Sequence, residues 1–278
     1  GGLTCFYAEE LTRDGIFDCL RKRHHYGTTG TRMHMDVRAT FPTSGQLFDR
    51  DPNAFDDATA TSVNEVMMGD IVQTDDTSLS LKVEVATQSP IERVEIRNGF
   101  DVLHTARGYD ESALGERVRV VWSGAEYRGR GRETNWKGRA RFSGATIRRI
   151  EKINAFNHER VFEQQGADTV VFDAITTGNF GGFDAWITPG APDELDIATN
   201  HGSLTLPLAE VGLEDAVLEA GGLERRLRAF RLPEENTTYS LDIALDVALK
   251  PTGDNPIWVC VTTEDGFQAW SSPIYAFN

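Results

Sequence analysis

From about residue 66 to the end of the chain, apolar residues recur with a period of two. That pattern constrains the fold more than any other feature. Leu79, Leu81, Val83 and Val85 alternate with Ser80, Lys82 and Glu84, and Val94 and Ile96 alternate with Glu95 and Arg97 before the turn pair Asn98-Gly99. Successive residues of a strand point to opposite faces, so such alternation marks strands with one face buried and one wet. Further strands are expected around Val118 to Val121, Ile147 to Ile153, Thr169 to Ile175, Ala185 to Thr188, Ser203 to Leu208, Tyr239 to Leu249 and Ile257 to Thr263. Many short strands separated by glycine-bearing turns predict an antiparallel, β-sandwich-like domain over residues 66–278. Leu213 to Leu227 is ambiguous, because Gly221-Gly222 interrupts a helical spacing.

The first forty residues read differently. Leu3 to Tyr7 is a short apolar run suited to a buried strand, and Thr12 can cap a following helix. Over Arg13 to Arg23, Ile16, Phe17 and Leu20 share a face, with Arg21, Lys22 and Arg23 in the last turn. One strand and one helix make half a βα repeat, which in a parallel sheet needs neighbouring strands. Residues 1–41 are therefore expected to be the last βα unit of a truncated βα barrel, with Tyr26 to Gly30 as a turn-rich exit and a strand within His34 to Phe41. Residues 42–65, with Pro42, Pro52 and the acids Asp49, Asp51, Asp56 and Asp57, read as an acidic loop or linker.

Composition limits the function classes. The 278 residues carry a formal net charge of -15. Such a surface repels nucleic-acid phosphates and anionic lipid, so neither nucleic acid nor membrane is an expected partner. No run approaches the ~18 apolar residues of a membrane span. Three cysteines without C-x-x-C spacing argue against a disulfide framework or thiolate zinc site and fit buried thiols in a reducing compartment.

The candidate chemistry is sparse. The six histidines include no pair at the helical zinc spacing. His24-His25 falls at a helix end, where imidazolium favours the dipole and a site role stays open. Asp49-x-Asp51-x-Asn53 starts like a calcium loop but has Ala54 and Ala60 where that loop needs glycine and glutamate. Arg128, Arg130 and Arg132 alternate, then Lys137, Arg139 and Arg141 do so again. If both limbs are extended, each puts three cations on one face, for an anion, a docking partner or the chain's own carboxylates. Trp122, Trp136 and Trp186 fit either ligand platforms or β-core packing. Glu9 and Glu10 follow the first strand, the position that faces the active end of a βα barrel. With Tyr26, Thr28, Thr29 and Gly30 they form a candidate active-site rim, in which hydroxyls and a close backbone suit an oxyanion.

Several of these stretches carry a resemblance. Gly2-Leu3-Thr4, Ala8-Glu9-Glu10-Leu11-Thr12-Arg13, Tyr26-Gly27-Thr28-Thr29-Gly30, Met67-Met68-Gly69-Asp70, Pro90-Ile91-Glu92-Arg93-Val94-Glu95 and Ala269-Trp270-Ser271-Ser272-Pro273-Ile274 resemble the C-terminal part of the domain-of-unknown-function 3604 family, over nearly the whole chain. That family is similar to the PHP (polymerase and histidinol phosphatase) superfamily of metal-dependent phosphoesterases. The resemblance implies a parent protein with a distorted βα barrel that binds divalent metals through histidines and acids upstream of the matched segment. No ligand motif of that kind falls at a corresponding position here, so no metal, cofactor or catalytic residue is expected in this chain. The expected role is a non-catalytic C-terminal region that completes the barrel and encloses its active site. The alternatives are a stand-alone β module for a sugar or anionic ligand and a structural or oligomerisation domain. The expected partners are accordingly the upstream barrel portion of the same protein or a second copy.

Overall fold

The computed structural model describes every residue except 156–158 and 192, so His158 lies outside the described residues. Among the described residues the fold is mainly β with one α-helix, as the alternation requires. The chain divides into two compact units: residues 1–108 with 237–278, and residues 109–236. The stretch expected as one domain from residue 66 thus contributes to both.

The first unit contains β1 (Leu3–Phe6), α1 (Arg13–Lys22), β2 (His25–Thr28), β3 (Met33–Phe48), β4 (Ala60–Met67), β5 (Ile71–Gln73), β6 (Ser78–Thr87), β7 (Ile91–Asn98) and β8 (Asp101–Ala106). The chain returns to it through β19 (Ser240–Ala248), β20 (Asn255–Thr263), β21 (Gln268–Ser271) and β22 (Ile274–Phe277). One path of hydrogen-bonded strands runs β1-β2-β21-β20-β22-β5-β3-β6-β19, with β4 on β3, β7 on β20 and β8 on β7. Every pairing is antiparallel except β22 with β5. Alternate residues of β3 and β6 (Met35, Val37, Leu81, Val83) and of β7 and β20 (Val94, Ile96, Val259, Val261) meet in one core.

Two expectations are corrected here. Residues 42–65 are not a continuous loop, since β3 runs through Pro42 to Phe48 and β4 starts at Ala60. The strand tolerates Pro42 because the β3–β4 register shifts between Thr40 and Gly45, where proline forfeits no ladder bond. The acidic loop shrinks to residues 49–59, where Asp49 Oδ1 accepts from Thr59 N at 2.8 Å and closes the loop on itself. The N-terminal strand also has a partner within the chain: β1 pairs antiparallel with β2, and β2 with β21. Tyr26 to Thr28 is thereby strand, and only the residues after it turn. No described strand pairs with the other edge of β1, and the upstream βα repeats of a barrel are not part of the described fold.

The second unit is a sandwich of two five-stranded antiparallel sheets. One holds β12 (Phe162–Gln165), β13 (Thr169–Thr176), β10 (Thr134–Ser143), β15 (Glu194–Thr199) and β16 (Gly202–Pro207); the other holds β11 (Thr146–Ile153), β14 (Phe180–Thr188), β9 (Arg117–Ala125), β18 (Leu223–Leu232) and β17 (Ala216–Glu219). Trp136, Phe142 and Phe172 of the first meet Val120, Trp122 and Phe183 of the second in a shared core. The ambiguous Leu213 to Leu227 segment becomes the β17–β18 hairpin. Gly221 and Gly222 take positive φ (75° and 61°) at its turn, a conformation that L side chains resist.

Candidate functional site

A cleft of about 810 Å³ opens in the first unit where the chain leaves β1, enters α1 and returns toward β2. Local chemistry builds it. Thr12 Oγ1 accepts from Gly15 N at 3.1 Å and starts the helix. Arg23 ends it in the left-handed conformation (φ 61°), and His24 N reaches back to Cys19 O at 2.9 Å. This reversal sets His24 beside the outgoing strand, where its carbonyl accepts from Tyr7 N at 3.0 Å.

A second turn meets the helix end. Gly69 has φ 97°, and a Cβ there would lie 2.4 Å from Arg23 O, so the approach requires glycine. Arg23 Nε donates to Gly69 O at 2.7 Å. The next residue, Asp70, places Oδ1 2.7 Å from His24 Nε2, while its Oδ2 accepts from Met67 N at 2.8 Å. An imidazole oriented by a carboxylate in this way can position a neighbouring group.

Arg38 lines the same cleft and is held by Asp36 (Nε to Oδ2, 2.9 Å) and Glu65 (Nη1 to Oε1, 3.2 Å). Tyr7 donates to Met35 O. Burial, reinforced by the Asp36 charge, pushes its phenol well above the ordinary range, so it stays a neutral donor.

Glu9 and Glu10 line this cleft as exposed acids at the start of α1. The rest of the expected rim is elsewhere. Because Leu3 pairs with Thr28 and Phe6 with His25, Thr28 to Gly30 sit at the opposite end of β1 from Glu9. Their polar groups are used locally. Tyr26 Oη donates to Met33 O at 2.6 Å, Thr28 Oγ1 donates to Thr31 O at 2.8 Å and accepts from Gly30 N, and Thr29 Oγ1 accepts from Gln268 N at 3.0 Å.

The cationic stretch is also split. Arg128, Arg130 and Arg132 fall in an irregular turn containing a short 3-10 segment, so they do not share a strand face. Gly129 and Gly131 break the extended geometry with φ of 110° and 72°. Lys137, Arg139 and Arg141 do alternate outward on β10. Arg141 pairs with Asp168 at 3.1 Å, and Lys137 sits opposite Asp173 in the ladder, so carboxylates already flank this face.

The sequence leaves His24 between a structural role and a site role and carries no sign that Asp70 and Arg38 are its neighbours. Asp70 stood inside the quoted Met67-Met68-Gly69-Asp70 motif, but nothing in sequence order brings it to His24. Among the described residues no three or more His, Cys, Asp or Glu side chains are grouped to hold a metal ion. These residues therefore do not by themselves form the metal centre that the resemblance implies.

The family described as protein of unknown function (DUF3604) matches residues 1–121. The match contains the β1–α1–β2 corner, Asp70 and the whole cleft. It is shorter than the nearly complete coverage expected, and it leaves out the closing Ala269 to Ile274 motif. No curated protein and no solved structure matches the chain.

Proposed function

We propose that this chain is the non-catalytic C-terminal region of a metal-dependent, phosphoesterase-like hydrolase, and that an upstream barrel of the same protein covers β1 and α1. One observation carries this reading. The apolar face that the helix pattern should bury is left largely outside: Phe17 and Leu20 are each 44% exposed and Ile16 is only half-buried, Leu11 just before the helix is 93% exposed, and the outer edge of β1 pairs with no strand among the described residues. Only Cys19 of the helix is buried. An amphipathic helix and an open strand edge left without cover are features proteins ordinarily protect. A barrel that continues its sheet onto β1 satisfies both at once, and the metal ligands belong to that barrel. Glu9, Glu10 and the His24–Asp70 pair then stand at the rim of its active site, where they orient groups of the barrel.

The test uses the natural polypeptide carrying the sequence upstream of Gly1, assayed on p-nitrophenyl phosphate with manganese, zinc or iron supplied. Glu9→Gln is expected to lower turnover at an unchanged melting temperature, because Glu9 is exposed and bears little on stability. Full activity in that variant contradicts the rim assignment, and absence of metal-dependent hydrolysis in the parent contradicts the reading as a whole.

A further inference from the structure

A second cleft, of about 230 Å³, lies within the sandwich of the second unit, between the β12–β13 side of one sheet and the β11–β14 side of the other. Its floor is Trp122. The indole stacks on Phe172 with ring centroids 4.3 Å apart and planes within 9°. On the neighbouring strand its ladder partner is Gly181. A Cβ at Gly181 would come within 3.0 Å of Trp122 Nε1, so glycine keeps the space beside the indole nitrogen open.

That nitrogen is the informative atom. Trp122 is only 4% exposed, yet among the described residues its N–H has no hydrogen-bond partner. Buried indoles ordinarily find one, and the others here do: Trp136 donates to Thr176 Oγ1 at 3.1 Å, Trp186 to Glu234 O at 3.2 Å and Trp258 to Gly99 O at 2.8 Å. The fifth, Trp270, is 37% exposed and open to water. Trp122 thus turns its N–H onto the cleft with no protein acceptor and within reach of solvent, so an acceptor oxygen of a ligand takes the place of water there.

The mouth supplies the remaining chemistry. Lys152 Nζ stands 4.8 Å from the Phe162 ring centroid and has no carboxylate partner among the described residues. Arg160 and Asp173 pair with each other at the same mouth, and both line it. Two cations and one acid leave a local positive balance in a chain of net charge -15. The Arg160–Asp173 pair offers both donors and acceptors, which suits hydroxyl groups. The small volume admits one compact molecule.

We propose that this cleft binds a small hydroxylated carboxylate of the sugar-acid class. Its carboxylate meets Lys152, an acceptor oxygen takes the Trp122 N–H, and its hydroxyls meet Arg160 and Asp173. The site lies wholly in the second unit and does not depend on the hydrolase reading.

The test is calorimetric titration of the full chain with D-glucuronate, D-glucose and acetate at millimolar concentrations, with tryptophan fluorescence as a second readout. D-glucuronate is expected to bind saturably and more tightly than either control. Trp122→Phe keeps the stacked ring but removes the N–H, and should weaken binding about tenfold, the upper scale of one neutral hydrogen bond. Gly181→Ala fills the space beside the nitrogen and should abolish binding. It covers the case in which Trp122→Phe disturbs the core, and circular dichroism identifies a misfolded variant. Lys152→Met should erase the preference for D-glucuronate over D-glucose. Absence of saturable D-glucuronate binding overturns the proposal. So does equal binding of D-glucose by the unaltered chain, or D-glucuronate binding unaffected by Gly181→Ala and Lys152→Met.

Discussion

The sandwich of the second unit and the β1–α1 corner of the first are built from the same kinds of residue, and they end up in opposite environments. In the sandwich, Trp136, Phe142, Phe172 and Phe183 are each no more than 2% exposed, and the two sheets cover one another. In the corner, Leu3 of β1, Leu11 after it, and Phe17 and Leu20 of α1 stay substantially exposed, although Phe17 and Leu20 lie on the helix's apolar face. Periodicity specifies which face of an element is apolar, and a second layer must still arrive to bury it. The sandwich carries both layers in residues 109–236. The corner carries one, and that asymmetry is the physical content of the proposal that another body covers it.

Substitutions can break or sharpen this contrast. The largest effect is expected at Trp136, fully buried and hydrogen-bonded to Thr176: Trp136→Ala should lower the stability of the second unit by about 4 kcal/mol in denaturant titration. A loss below about 1 kcal/mol would mean the sandwich is far looser than its packing implies.

Next comes Asp184, on the face of β14 turned away from that core. Arg119 donates to it at 2.7 and 2.8 Å, and Arg117 at 3.0 Å. Burial alone would raise this carboxyl most strongly, but the pull of Arg119 and Arg117 outweighs it and holds the group below the usual carboxylate range. A carboxyl whose folded pKa is depressed stabilises above its unfolded value of about 3.9, and that contribution is lost as pH falls through the folded value. Asp184→Asn should therefore cost about 3 kcal/mol near neutrality, and the cost should shrink in acid. A variant whose deficit is constant down to strongly acidic pH would contradict the charge assignment.

A smaller effect separates the two ends of β1. Thr28→Val removes a buried hydroxyl that bonds both Thr31 O and Gly30 N, and should cost about 1 kcal/mol. In the proposed parent hydrolase it should leave turnover intact, the reverse of Glu9→Gln. At the bottom of the scale, Leu20→Ala on the uncovered helix face should change the stability of this chain by less than about 0.5 kcal/mol, and considerably more when the covering body is present.

Much of the strand content was legible because it depends on neighbours in sequence. The alternation of Leu79 to Val85 is β6, and the capped pattern at Thr12 to Arg23 is α1. Pairing was not legible, because it depends on residues far apart. Nothing near Tyr26 announces that β2 lies against Ala269 to Ser271, so a strand was read as a turn. The acidic stretch after Pro42 looked like a linker because the register shift that accommodates proline belongs to two strands together. The division into two units depends on a chain that leaves the first sheet system after residue 108 and returns at 237. The candidate sites show the same limit. Glu9 and Glu10 were placed by their position after a strand, whereas the His24–Asp70 contact joins residues 46 positions apart. Trp122 was visible as an aromatic, but its free N–H depends on Gly181 and Phe172 arriving from two other strands.

The central claim is that the outer edge of β1 and the apolar face of α1 are the seat of an upstream barrel. Hydrogen exchange read by mass spectrometry, on this chain and on the natural polypeptide that includes the upstream sequence, tests it most directly. The account predicts fast exchange over residues 3–22 in this chain while β9, β10 and β14 are protected, and a marked gain of protection over residues 3–22 in the longer polypeptide. Equal exchange of residues 3–22 in both would contradict it. So would strong protection of those residues in this chain together with a doubled molecular mass, since a second copy would then be the cover.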